Sequence, residues 1–356
     1  MTVFLLLIFL ACLWKIRFAK PLLGGINANY LAVDRTDSIK GIFILLVFLS
    51  HIKNYLDSFA QYSSDPLNSI YNVFQNHLGQ GVVVMFLFYS GYGVMESIKK
   101  KGAAYIRAFP KNRLAKTLFN FDLAVLLFVI LNLCLGTLKD YSVPHVLLSF
   151  TGWESVGNSN WYIFAVLIMY LITYVSFRIF KNRYSHAAAL ITLLTAVYIA
   201  VLALFKDAWW FDTVILYPLG IWCSLGKQKI ERFLWKRPVN YYLVFVLCAG
   251  LFIVSHLLRS NILCYELSQV SLCAVIVIVT MKVDICNKLL SFFGRHLFEI
   301  YILMRIPMMV LLHYGITNTY LFVLISFTVT VPLAVLFKMA LGFLDSKLFF
   351  RQKVHD

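Results

Sequence analysis

Long apolar runs, each about the length that crosses a bilayer, recur from one end of this sequence to the other and leave only short polar stretches between them. That feature removes most folds. In hydrocarbon every backbone N–H and C=O must find its partner inside the structure, so a chain made of such runs crosses the membrane as helices. Hydrophobic residues make up 61% of the chain and charged residues 13%, about half the charged share of a soluble domain. No sizeable soluble domain is left over. The expected fold is an all-α, polytopic transmembrane helical bundle, with residues 1–356 forming one integral membrane domain.

A span needs about 17–25 residues. That rule places about eleven, near 1–14, 39–57, 78–98, 116–137, 160–178, 187–205, 211–226, 240–258, 263–281, 295–313 and 318–341. The first is short, like a signal peptide. Its positive residues Lys15, Arg17 and Lys20 follow the apolar run, however, as in a retained anchor with its N-terminus outside. With the N-terminus out and the C-terminus in, all 32 Lys and Arg residues except Lys53, Lys139, Lys206, Arg259 and Arg305 fall on the cytoplasmic side. The net charge of +16 is then mostly topology, and no nucleic-acid partner is expected. Trp153, Trp161, Trp209 and Trp210 cluster at the outer face, as an aromatic belt would.

Between the spans, the outer loop 58–77 is polar and holds no Lys or Arg. The outer stretch 138–159 contains a half-apolar piece, Tyr141 to Trp153, that is interfacial or re-entrant. The inner loop 99–115 is strongly basic. The seven cysteines (Cys12, Cys134, Cys223, Cys248, Cys264, Cys273, Cys286) sit in or beside apolar runs and form no Cys-x-x-Cys pair. They read as small core residues, and neither a disulfide framework nor a metal site is expected.

The residues that stand out chemically are polar groups inside the spans. His51 lies deep in the run 39–57, where an imidazole is costly unless it is paired or faces a wet cavity. It is either a functional base or a helix-end histidine bonded at the interface. Asp37 precedes it by 14 residues, about 21 Å along a helix, too far to orient it. Capping of the helix start is the expected role for Asp37. Asn54, Tyr55 and Ser58 share the histidine's face and could fix its tautomer. Arg113 and Lys116, at i and i+3, could form a phosphate-binding fork; on their own, ordinary positive-inside charge is the simpler reading. Glu96, Asp122, Glu299 and Arg305 each need a partner from another span. Glu299 and Arg305 stand about 120° apart on a helix and cannot pair with one another. Tyr89-Ser-Gly-Tyr-Gly93 suits close helix packing, and its glycines would also let a ligand lie on the backbone. No Gly-rich phosphate loop, His-Glu-x-x-His or Gly-x-Ser-x-Gly motif is present.

Taken in order, five segments resemble the bacterial acyltransferase-3 family of integral membrane O-acyltransferases. They are Asp37-Ser-Ile-Lys-Gly41 followed by His51, Phe86-Leu-Phe-Tyr-Ser-Gly91, Lys111-Asn-Arg-Leu-Ala-Lys116, Asn160-Trp-Tyr-Ile-Phe164 and Gly294-Arg-His-Leu-Phe-Glu-Ile-Tyr301. The resemblance covers about residues 34–340. Two departures are visible. Lys116 stands where the family has the second arginine of Arg-x-x-Arg, and a late family histidine is missing, with Met304 and Arg305 in its place.

The resemblance implies transfer of an acyl group, most often acetyl, from cytoplasmic acyl-CoA to a hydroxyl of a cell-surface or lipid-linked glycan. It implies His51 as the catalytic residue, as base or as transient acyl carrier. It also implies donor or substrate contacts at Asp37, Lys40, Ser90, Arg113, Lys116 and Trp161. Acetyl-CoA would be a substrate, with no bound cofactor, and the location would be the inner or plasma membrane among its lipids. The alternatives are a transporter or flippase of lipid-linked saccharide, and a family member without catalysis.

Overall fold

Residues 1–20 and 25–348 are described here by a computed structural model. Its helices are α1 (Thr2–Leu13), α2 (Val33–Leu56), α3 (Ala60–Ser64), α4 (Leu67–Leu78), α5 (Val84–Phe109), α6 (Lys116–Cys134), α7 (Val143–Ser149) and α8 (Trp161–Phe180). They continue with α9 (Tyr184–Leu202), α10 (Leu216–Lys236), α11 (Pro238–Leu257), α12 (Ile262–Thr280), α13 (Lys288–Arg295), α14 (Leu297–Leu303), α15 (Arg305–His313) and α16 (Thr319–Leu348). One antiparallel ribbon pairs β1 (Arg17–Phe18) with β2 (Val283–Asp284) and ties the region after α1 to the end of α12. The all-α polytopic bundle read from the sequence is the observed architecture.

Every apolar run expected to span contains helix, but the helices are not interchangeable. Among the described residues, 7 helical tracts are long and apolar enough to cross a membrane, or up to 8 if the bent pair Lys288–Arg295 and Leu297–His313 is one span. One of these tracts, Leu67–Cys134, contains α4, α5 and α6 together. α1 has 12 residues, about 18 Å of helix, well short of the hydrocarbon thickness. Its end is anchored instead: the Met1 amino group donates to Asn68 Oδ1 at 2.9 Å, and Thr2 Oγ1 donates to the Leu67 carbonyl.

Three expectations change. The basic stretch 99–115, read as an inner loop, is helical: α5 runs through it with a break at Gly102 (φ 57°), and a π-helical turn over Pro110–Ala115 leads into α6. α10 begins at Leu216 rather than near residue 211 and carries the cluster Lys227 to Lys236 within the helix. The run 295–313 is not one straight span, because the chain bends by 61° between Arg295 and Leu297. Arg351 and Lys353, part of the last basic cluster, lie outside the described residues.

Two helix pairs approach to backbone contact, each through a glycine from both partners. A Cβ on Gly41 of α2 would stand 1.9 Å from the Leu290 carbonyl oxygen, and one on Gly294 of α13 would stand 1.8 Å from that of Asp37. The same holds between α5 and α10, where a Cβ on Gly91 would stand 2.0 Å from the Tyr217 carbonyl oxygen and one on Gly220 would stand 2.1 Å from that of Phe88. In lipid no hydrophobic force drives helices together, so such close, small-residue contacts hold the bundle by dispersion. The Ser38 and Ser291 hydroxyls, 2.7 Å apart, reinforce the first pair.

Candidate functional site

Helices α2, α5, α8 and the π-helical turn before α6 surround a cavity of about 950 Å³. Its wall carries Lys40, Lys100, Lys101, Arg113 and Lys227 against a single acid, Glu96. Two of the cations are balanced nearby: Lys40 pairs with Asp37 at 2.6 Å, and Lys227 lies 3.7 Å from Glu231. Glu96 is itself engaged by Lys99 at 2.6 Å and by the Ser224 hydroxyl at 2.7 Å. The cavity therefore presents a net positive surface suited to an anionic ligand.

Arg113 is the best organised of these cations. The π-helical turn, a device common at functional sites, projects it toward α8. Its Nε donates to the Tyr105 hydroxyl at 3.0 Å, and its guanidinium stands 5.9 Å from the Tyr170 ring centroid. The Tyr170 hydroxyl in turn lies 3.2 Å from Ser90 Oγ. Among the described residues no carboxylate pairs with Arg113, so its remaining donors stay available for phosphate. Gly91 and Gly93 divide the two roles that their segment allowed. Gly91 packs on α10, while Gly93 lines the cavity with nothing within 4 Å of an added Cβ.

Other expected site residues lie elsewhere. Lys116 does not line the cavity; its Nζ pairs with Asp345 of α16 at 2.6 Å. Trp161 opens α8 and packs edge-on against Tyr162 at 5.9 Å, and it is Tyr162, not Trp161, that reaches the cavity. Asp37 does not cap α2, because the helix already starts at Val33, after an extended Ala32; Asp37 sits in the second turn and holds Lys40.

His51 lies at the other end of α2, about 16 Å along the axis from Lys40. It packs edge-on against Tyr301 with centroids 6.1 Å apart and makes no side-chain hydrogen bond to a described residue. Of its expected tautomer partners, Tyr55 accepts from Arg305 Nε at 3.3 Å, and Ser58 Oγ donates to the Tyr55 carbonyl at 2.9 Å. Neither fixes the imidazole. A relay of rings joins the two ends: Phe86 and Tyr162 of the cavity wall are 6.1 Å apart, and Tyr162 and Tyr301 are 5.5 Å apart. A cationic cavity and a half-buried histidine thus occupy opposite ends of one helix, with aromatic side chains between them.

The family model described as an acyltransferase domain matches residues 33–339, a stretch that contains His51 and the five cations of the cavity. The chain belongs to the acyltransferase-3 family. It is a multi-pass membrane acyltransferase. No curated protein and no solved structure matches it.

In this acyltransferase Glu96, Glu299 and Arg305 find partners on other elements, as the sequence required, but Asp122 does not: its Oδ1 is buried with no hydrogen-bond partner among the described residues. Glu299 lies 3.9 Å from Lys338 of α16, and Arg305 reaches Tyr55 and the Asn158 carbonyl, the latter at 3.5 Å. Sequence reasoning missed Tyr105, Tyr162, Tyr170 and Tyr301. Tyr162, Tyr170 and Tyr301 sit among many aromatic residues in apolar runs and Tyr105 sits in the basic stretch 99–115, and only the packed structure brings them together. A sequence signal did exist for Lys100 and Lys101, whose basic cluster was read as topology alone.

Proposed function

We propose that this acyltransferase is an O-acyltransferase, of acetyl groups in the first instance, that moves the acyl group of cytoplasmic acyl-CoA to a hydroxyl of a cell-surface or lipid-linked glycan. The observation that carries the reading is the two-ended arrangement. A net-positive cavity with an unneutralised Arg113 lies at the end of α2 where the basic clusters gather, and His51 lies at the far end. The cations suit the phosphates of CoA. Ser90, Gly93 and Tyr162 line the same cavity, and Tyr162 packs on Tyr301, which packs on His51.

A thioester is already activated, so the transfer needs a base for the acceptor and a site for the developing oxyanion. His51, as neutral imidazole, takes the proton from the acceptor hydroxyl as its oxygen bonds to the thioester carbon. Collapse of the tetrahedral intermediate breaks the C–S bond, and the thiolate of CoA receives the proton. Atoms and charge balance without a metal or redox partner. The same residue could instead take the acyl group first and pass it on. Family membership favours transfer over the transporter reading.

Two results test this. Replacing Arg113 by Ala is expected to weaken acetyl-CoA binding by about 1.5–3 kcal/mol, the worth of a charge-assisted hydrogen bond. Lys116→Ala, which breaks the contact with Asp345 outside the cavity, should leave that affinity within about twofold. Titration calorimetry in detergent measures both, and equal effects would remove the cavity from donor binding. The orientation, with the N-terminus outside in the inner or plasma membrane, predicts that reporters fused after Lys101 and Lys236 both read cytoplasm. An external signal from either would place the cavity on the wrong side for acyl-CoA.

A further inference from the structure

His51 and Tyr55 stand one turn apart on α2, and Tyr301 and Arg305 stand one turn apart across α14 and α15. The two turns meet as rungs: His51 packs on Tyr301, and Arg305 packs on Tyr55, with its guanidinium 5.8 Å from the ring centroid. Arg305 is therefore about one helical turn, 5–6 Å, from the histidine. A guanidinium at membrane depth is costly unless a negative group balances it. Among the described residues no carboxylate lies within 4.0 Å of this one. Of its five N–H donors, only Nε and one on Nη1 are engaged, both by neutral oxygens.

The loop that supplies one of those oxygens holds more unused donors. Asn158 is 1% exposed and Ser159 3% exposed, yet Asn158 Nδ2 and Ser159 Oγ have no hydrogen-bond partner among the described residues. Buried donors are normally paired, and a fixed cation in contact with a loop that holds spare donors suits an anion site. Ordinary structural charge explains Glu299, which has Lys338 beside it. It does not explain Arg305.

We propose that Arg305 binds an anionic group of the acceptor, so that this transferase acts on an acidic glycan, the anion being a sugar carboxylate or the phosphate of a lipid carrier. The proposal rests on the reading of His51 as the residue that meets the acceptor hydroxyl. The one-turn spacing then puts the anion within the same sugar residue as that hydroxyl, or on the phosphate attached to it.

The test uses the full-length protein in nanodiscs with acetyl-CoA and three acceptor probes. These are an oligosaccharide containing a hexuronic acid, its carboxyl-reduced neutral counterpart, and a neutral sugar linked to polyprenyl phosphate. Free thiol release gives kcat and KM. The wild type is expected to use one of the two anionic probes at least about tenfold better in kcat/KM than the neutral one, the range of a charge-assisted contact. Preference for the uronic acid assigns a carboxylate, and preference for the lipid-linked probe assigns a phosphate. Arg305→Gln should raise KM for the favoured acceptor by about 10–100-fold and leave KM for acetyl-CoA unchanged. Arg305→Lys should recover part of the loss. Equal use of neutral and anionic probes by the wild type overturns the anion site while the transferase reading stands, whether or not the variants fold. Thiol release with none of the three overturns both.

Discussion

Replacing His51 by Ala is expected to leave a folded protein that binds acetyl-CoA normally and turns over about 10²–10⁴-fold more slowly, the range for loss of a general base. Folding should survive because the ring makes no side-chain hydrogen bond to a described residue and contributes one edge-on contact with Tyr301. Such contacts are worth about 0.5–1.5 kcal/mol. Binding should survive because the cationic cavity lies at the other end of α2. Thiol release and acetyl-CoA titration on the same preparation check both halves. Near-normal turnover would remove His51 from the chemistry. Loss of the folded protein, with His51→Gln behaving the same way, would make it a structural residue.

Gly91→Ala should be strongly damaging to the bundle. Its methyl would stand 2.0 Å from the Tyr217 carbonyl oxygen and 2.9 Å from the carbonyl carbon, both rigid backbone atoms. α5 and α10 must then separate, and overpacking of this kind costs about 1–3 kcal/mol or more. Two residues on, Gly93→Ala meets nothing within 4 Å. It should keep normal stability and instead reduce acetyl-CoA affinity by narrowing the cavity. Thermal unfolding followed by size-exclusion chromatography separates the pair. Equal melting of Gly91→Ala and wild type would mean that the two helices are not held by this contact.

The contrast between those neighbours shows where sequence reading stops. Apolar length located the helices, since a run such as 240–258 has no other stable form in lipid. It did not locate their ends where charge and helix propensity disagree. Lys227 to Lys236 was read as loop for its charge, although nothing in it breaks a helix. Five motifs in order were enough to reach the family. Assigning partners was harder, because a pair such as Lys116 with Asp345 joins residues far apart in the chain. Arg305 is the sharpest case. In the sequence it marks a missing histidine; in the structure it is the charged neighbour of the histidine that is present.

The ring relay Phe86–Tyr162–Tyr301 has a consequence for the cell as well as for the reaction. A protein that draws a charged substrate halfway into a bilayer opens a partial conduit through it. An energised membrane survives only if such conduits do not conduct. Tyr162 is 8% and Tyr301 3% exposed, so buried, packed rings stand between cavity and histidine. On the proposed reading, a packed layer of this kind would act as an electrical insulator, holding back protons and small ions while the acyl group is handed across.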